Sequence, residues 1–438
     1  MKKRTASSQA DSVRYSEGIA KLQYIIFEDE LTSNFTPLTL TRPTFDLTLG
    51  TKTLLQNLTA RLNLKEYTLK VQPHLAKITR QRHNRTVNPT QAEEDTVLIN
   101  GLISPNEQVK KLLRQEENFT VFSGDQLALA KMSKKDTERF LQDTASPESL
   151  KVNSKLLELP ESSLIRYPWQ LMERNPSAIE EQMKNLPRGE EPDLQRCEVL
   201  GQRSNLLFEG HASVEPYVTF DLRRGSVWVG EDAEIQSFTR IEGPAYIGKH
   251  AEIRSARIHG GTTIGDYCKI GGEVDCSIIS GYSNKAHDGF LGHSYVGEWV
   301  NIGAGTSNSD LKNTYGTVKI ELGGKKVDTG SMKVGCFIAD YAKTSIGCFI
   351  YTGRRIGVSS QTHGYVTEDV PSFTAYTKSL TGKAFELRLD SAVETQKRMM
   401  ERRGVQQTVE DKALLSRVFE MTQDERYRRG VLKSGLTL

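Results

Sequence analysis

The chain has 438 residues, 37% of them hydrophobic, a length that suits two or three domains with real cores. No apolar run approaches the roughly eighteen residues of a membrane-spanning helix, which excludes a helical membrane protein. Lysine and arginine number 58 against 55 Asp and Glu, a net +3 that argues against broad nucleic-acid binding but leaves local basic clusters able to hold phosphates.

Residues 1–20 are basic without an apolar stretch behind them, so they read as a disordered tail rather than a secretory signal. Leu22 to Asp29 is a short apolar run ending in acids, the expected first buried strand of an α/β domain over residues 21–196. The segment LTSNFTPLTLTRPTFDLTLG, closed by Gly50, is punctuated by proline and reads as loop. TKTLLQNLTARLNL after it carries apolar residues at helical spacing, and Thr96–Gly101 and Asn118–Gly124 are two further strands stopped by glycine. Strands alternating with helical stretches predict a compact α/β layer. The five cysteines are odd in number and form no C-x-x-C, so buried free thiols in a reducing, cytoplasmic compartment are expected.

From about Phe208 aliphatic residues recur every six positions: Val229, Ile235, Ile241, Ile247, Ile253, then Ile258, Ile264, Ile270 and Cys276 after a one-residue slip. The pattern returns at Val296, Ile302, Val334 and Ile346, with Ile350 and Ile356 in a second register, and glycine follows many of these residues. One inward aliphatic per six residues builds a triangular coil of three flat strands, with glycine and small residues at its corners: a hexapeptide β-helix over residues 197–372. With about eighteen residues per coil and ~4.8 Å between coils, the prism is roughly 35–45 Å tall. Pro371 closes the repeats, and residues 373–438 read as a helical, charge-rich cap interrupted by Gly404. The alternative role for that segment is that its basic residues reach a phosphate.

The repeat is broken between Tyr282 and Gly316, where insertions on one face mark a site. Here His287 followed by FLG and then VGEWVNIGAGT resembles the acetyltransferase half of the bacterial bifunctional UDP-N-acetylglucosamine pyrophosphorylase / glucosamine-1-phosphate acetyltransferase family. Those proteins are left-handed β-helices, usually trimers with sites between neighbouring prisms. His287, Asn301 and Ala304 stand at matching positions, and Phe290 stands where that family has tyrosine. GKKVDTGSMKVGCFIADYAKTSIG resembles the archaeal-type enzymes, and FTPLTLTRPTFDLTLG, RYPWQL and VETQKRMMERRGV resemble a divergent branch of sugar nucleotidyltransferases.

The resemblance implies acetyl transfer from acetyl-CoA to an amino-sugar 1-phosphate, then nucleotidyl transfer from UTP or another NTP. His287 is then the general base, a role worth about 10²–10⁴-fold. Backbone N–H groups of Gly303, Ala304 and Gly305 serve coenzyme A and the oxyanion, and Asn301 bonds sugar or thioester. Lys285, Lys312 and Lys319 hold the sugar phosphate, with Phe290 and Tyr315 beside it. His259 and His293 are expected to be structural, and so is Asp288 unless it orients the imidazole.

In the N-terminal domain Pro37-Leu38-Thr39 and Pro43 resemble part of the nucleotide-binding segment, but EDELTSN before them lacks the family's glycines and arginine. Thr44 replaces a lysine, and Asn100 replaces the Asp that binds Mg2+. Arg42 and Asp46 are the expected nucleotide or phosphate residues; the alternative is an Arg–Asp pair bracing a proline loop. A degenerate nucleotide-binding domain and a non-enzymatic trimeric scaffold are the other readings of the whole chain.

Overall fold

The computed structural model describes residues 22–142, 155–184, 186 and 188–433, so the expected N-terminal tail lies outside the described residues. The N-terminal layer is a six-stranded mixed sheet in the order Thr68–Lys70, Gln23–Phe27, Thr96–Asn100, Gln126–Met132, Phe119–Ser123, Lys155–Leu159. Its first three strands are parallel, and Gln126–Met132 runs antiparallel to both its neighbours. The three strands read from sequence are there. Of the other three, Thr68–Lys70 is only three residues long, while Gln126–Met132 and Lys155–Leu159 lie in a stretch whose surroundings read as polar and helix-leaning.

The expected helix after Gly50 spans Leu54–Leu62 and is opened by a capping box between Thr53 and Gln56. RYPWQL leads into the fifteen-residue helix Trp169–Met183.

The β-helix is built as its period predicts. One face is an eight-stranded parallel sheet from Leu206–Phe208 to Arg355–Ile356. Across it Val229, Ile247, Ile264, Ile279, Val296, Ile338 and Ile356 pair in register, and each is buried. A second face stacks Val214, Ile235, Ile253 and Ile270, and a third stacks Phe220, Ile241, Ile258, Val274 and Leu291. Three expected rungs are elsewhere. Cys276 sits at a corner with φ 42°, and Val334 packs in the cluster shared with the N-terminal domain. Ile346 points outward, 78% exposed. The long turn between Val296 and Ile338, which holds the hairpin Lys319–Leu322/Lys325–Asp328, shifts the register there.

Glycine takes some of the left-handed turns, at Gly261, Gly272, Gly347 and Gly364, but one edge of the prism is built otherwise. There the residues with left-handed backbone are His250, Tyr267, Tyr282 and Trp299 (φ 54–60°), and their rings stack at 4.6, 4.9 and 4.2 Å. Aromatic stacking at the coil spacing offsets the local strain. The glycines after the aliphatics serve close approach instead: a Cβ at Gly248 or Gly265 would lie 2.6 Å from the next coil's backbone.

The proline-rich segment is a strap laid on the prism. Phe45, Leu47 and Leu49 share one core with Tyr295, Trp299 and Phe337. Asn175 accepts from the Gly50 N–H and donates to the Gly261 carbonyl, at 2.7 and 2.8 Å. Arg42, 4% exposed, donates to Asp340, 1% exposed, at 2.6 Å and to Glu298 at 3.0 Å. The C-terminal helices Leu389–Glu401 and Val409–Met421 pack into the same core through Met400, Leu414 and Leu415. Strand Ala384–Glu386 pairs with the last coil at Thr374–Tyr376.

Removing one partner of a buried ion pair leaves the other charge without compensation. Arg42→Ala is therefore expected to lower stability by about 3–5 kcal/mol in denaturant unfolding. Arg388→Ala, at the exposed pair with Asp390, should cost less than about 1 kcal/mol. Equal effects would show that the Arg42 pair does not hold the strap.

Candidate functional site

On the second face the inward ladder changes character: Ile270 is followed in register by Lys285. This lysine is 2% exposed, and its Nζ donates to the carbonyls of Gly271 (2.7 Å) and His287 (3.1 Å). Burial lowers its pKa to about 8. Lys285 thus sits inside the prism as a strut under the His287 loop rather than at its surface. Gly289 lets that loop pass the next coil, since a Cβ there would lie 2.1 Å from the Thr306 carbonyl.

His287 is exposed and lines a cleft of about 720 Å³, together with Asn301, Gly303 and Ala304. Its imidazole makes no hydrogen bond or ion pair among the described residues, and Asp288 is not bonded to it. Of the three expected backbone donors, Gly303 gives its N–H to Thr344 Oγ1 (2.9 Å) and Gly305 gives its N–H to the Asp288 carbonyl (2.9 Å). The Ala304 N–H has no acceptor among the described residues, so it is the donor the cleft retains.

Sequence reasoning missed much of the wall. Arg254, Lys269 and Lys343 line it, and so do Met399, Arg402 and Arg403 from the end of the helix Leu389–Glu401. Lys343 is largely buried with no carboxylate partner, and burial lowers its pKa to about 8. Its Nζ donates to the Tyr341 carbonyl at 2.9 Å. A lysine next to Tyr-Ala in an ordinary repeat carries no sequence signal of a site.

The remaining expected residues lie outside this cleft. Phe290 is half-buried over Gly292, and Lys312 donates to the Thr317 carbonyl at 2.8 Å. Tyr315 and Lys319 are exposed on the excursion that follows. His259 bridges Glu242 and Glu273, each at 3.2 Å, and His293 Nδ1 is 2.8 Å from Asp310 Oδ2.

In the N-terminal domain the strand ends gather Glu28, Asp29 and Asn100. Glu28 accepts the N–H groups of Thr44 (2.7 Å) and Gln72 (3.1 Å), and burial pushes its carboxyl up to about 7. Burial likewise pushes Asp29 up to about 6, although it accepts from the Asn100 amide at 2.7 Å. The Asn100 oxygen accepts the Leu102 N–H at 3.0 Å. Arg42 and Asp46 line a smaller cleft of about 190 Å³, but they are not partners: Asp46 bonds His83 at 3.0 Å while Arg42 is held by Asp340 and Glu298.

Residues 24–191 match a family model described as sugar nucleotidyl transferase. The chain is 37% identical over 142 residues to a bifunctional sugar-1-phosphate nucleotidylyltransferase/acetyltransferase of Sulfurisphaera tokodaii, covering 31% of this chain and 34% of that protein. It is 41% identical over 95 residues to the bifunctional protein GlmU of Acidithiobacillus ferrooxidans, covering 20% of this chain and 21% of that protein. The chain spans about a third or less of the length of these two curated relatives. Among solved structures, the UDP-N-acetylglucosamine acyltransferase of Francisella novicida covers 55% of this chain and 91% of its own at 15% identity and a TM-score of 0.30. The resemblance to two-domain sugar-nucleotide transferases read from the sequence is borne out by the family model and the two relatives.

The raised Glu28 carboxyl sets a pH trend. Below its ordinary value of 4.5 it is protonated in both folded and unfolded chains; between 4.5 and about 7 only the folded chain keeps the proton, so its contribution to stability falls as pH rises. Melting curves should therefore show wild type losing ground to Glu28→Gln between pH 4.5 and 7 and holding level above. A gap that moves the opposite way would contradict the buried assignment.

Proposed function

We propose that the chain is a sugar-nucleotide enzyme that acetylates an amino-sugar 1-phosphate, glucosamine-1-phosphate, from acetyl-CoA in the His287 cleft. The N-terminal domain then transfers a nucleotidyl group from UTP to the sugar phosphate, giving UDP-N-acetylglucosamine. The observation that carries this reading is the unpartnered His287 imidazole, beside Asn301 and the free N–H of Ala304, in a cleft lined by cations.

On this reading the sugar amine attacks the thioester carbonyl, and His287 takes the proton from the nitrogen as the C–N bond forms. The Ala304 N–H donates to the developing oxyanion, and the Asn301 amide holds the sugar or the thioester. As the C–S bond breaks, His287 returns the proton to the departing thiolate. Lys285 acts through the loop it braces. Lys343, Lys269 and Arg254 are closer candidates for the sugar phosphate than Lys312, Lys319 or Tyr315, which serve this cleft only if a neighbouring copy brings them to it. A cytoplasmic homotrimer, with exposed Ile346, Phe349 and Tyr365 facing neighbours, supplies that arrangement. No helix among the described residues is long and apolar enough to cross a membrane.

Nucleotidyl transfer rests on the family match of residues 24–191. Asn100 would be a neutral and therefore weaker ligand for Mg2+ than a carboxylate, and its oxygen also accepts a backbone N–H. A second reading, in which this domain binds the nucleotide without transferring it, is favoured by the engagement of Arg42 with the prism.

His287→Ala should lower kcat for acetyl transfer to glucosamine-1-phosphate by about 10²–10⁴-fold with an unchanged melting temperature. Undiminished turnover would remove the base. Exchange of labelled pyrophosphate into UTP by the intact chain separates the two readings of the N-terminal domain: exchange supports transfer, and uridine-nucleotide binding without it supports the second.

A further inference from the structure

Along the third face of the prism, acids are paired with bases. Asp221 meets Arg223 and Arg240, Glu242 meets Arg240 and His259, and Glu273 meets Arg257 and His259. Asp275 departs from this: its carboxylate has no hydrogen bond or ion pair among the described residues. It ends the strand Lys269–Asp275, at the edge where the chain turns through Cys276. On the next coil that edge carries His293, whose backbone N–H donates to the Asp275 carbonyl at 2.9 Å. On the coil after, beyond the strand Ser307–Asn308, it carries Asp310.

One ligand atom from each of Asp275, His293 and Asp310 lies within 4.8 Å of the other two. His293 and Asp310 keep only 19% and 12% of their side chains exposed. Gly292 makes room for them, since a Cβ there would lie 2.8 Å from Asp310 Oδ2. Two carboxylates held this close repel each other, and a neutral imidazole between them cancels neither charge. Lys333, on the segment that returns beside Leu311, makes no ion pair with either carboxylate among the described residues. None of the three residues lines the His287 cleft.

We propose that Asp275, His293 and Asp310 bind one divalent transition-metal cation, of the zinc, cobalt or manganese kind, with water completing its shell. Two carboxylates balance its charge, and the imidazole suits such an ion better than Mg2+ or Ca2+, which take oxygen ligands. The 2.8 Å between His293 Nδ1 and Asp310 Oδ2 is near the ~3 Å edge between adjacent ligands of an octahedral cation with bonds of about 2.1 Å. The long excursion leaves the prism at Asp310. It returns at Val334 and Gly335, whose N–H groups donate to the carbonyls of Asp310 and His293 at 2.9 and 2.8 Å. A cation at this edge therefore clips the stem of the excursion, with its hairpin and the exposed Tyr315, to the two coils before it. The site stands whether or not the cleft transfers acetyl groups.

The test is equilibrium dialysis of the full-length chain, stripped with EDTA, against Zn2+, Co2+ and Mg2+, with Asp275→Asn and Asp310→Asn alongside. The expected result is one Zn2+ or Co2+ per chain beyond what the variants hold, and binding at this site weakened about tenfold or more by either substitution. Mg2+ binding should be the same in all three chains. Zn2+ should also raise the melting temperature of the wild type but not of Asp275→Asn, and slow hydrogen exchange in residues 311–333. Asp275→Asn removes a charge that has no partner, so without metal it should melt as the wild type does, which separates loss of the site from a folding defect. Zn2+ and Co2+ bound by no chain, or bound equally by wild type and both variants, overturn the proposal, as does a preference for Mg2+ at these residues. Binding that leaves exchange in 311–333 unchanged overturns the clip.

Discussion

The in-register stacking of inward aliphatic side chains on successive coils is the constraint that everything else here follows from. Parallel coils about 4.8 Å apart leave no room for irregularity inside, so each departure must be absorbed at a corner or carried outward as an excursion. Lys285 is the telling exception. It occupies a rung after Ile270, is kept inside by two carbonyl acceptors, and one of those belongs to His287. The desolvation of a buried ammonium is met by bonds that also fix the loop carrying the histidine, so an unfavourable core residue becomes a brace for the site.

The three parts of the chain are knit through one core rather than strung in sequence. The strap from Arg42 to Gly50 lies on the prism, the helices beyond Leu389 pack beside it, and Trp299 belongs to that shared core while its ring also walls the His287 cleft. Glu298, next to Trp299, is bonded to Arg42. Chain segments far apart in sequence thus set the shape of one cleft.

Much of the architecture was legible because it is periodic. A six-residue repeat reports the β-helix directly; His287 could be singled out because it sits where that repeat is interrupted, and Asn301 and Ala304 because they stand at positions matching the resembled family. What was hidden depends on partners remote in sequence. Arg42 reads as a phosphate ligand beside Pro43, yet its carboxylates come from coils near residues 298 and 340. Lys285 reads as a surface cation next to His287, and only the register reveals that it points inward. Lys343 has no motif around it. Arg402 and Arg403 look like the usual basic end of a solvated helix, where the dipole alone would favour them. Their place on the cleft wall follows from how that helix docks.

The most direct test is a crystal structure of the chain with coenzyme A and glucosamine-1-phosphate. The account predicts the thiol of coenzyme A beside Ala304 and the sugar nitrogen within about 3 Å of a ring nitrogen of His287. Coenzyme A bound away from this cleft, or a sugar nitrogen closer to some other base, would contradict it.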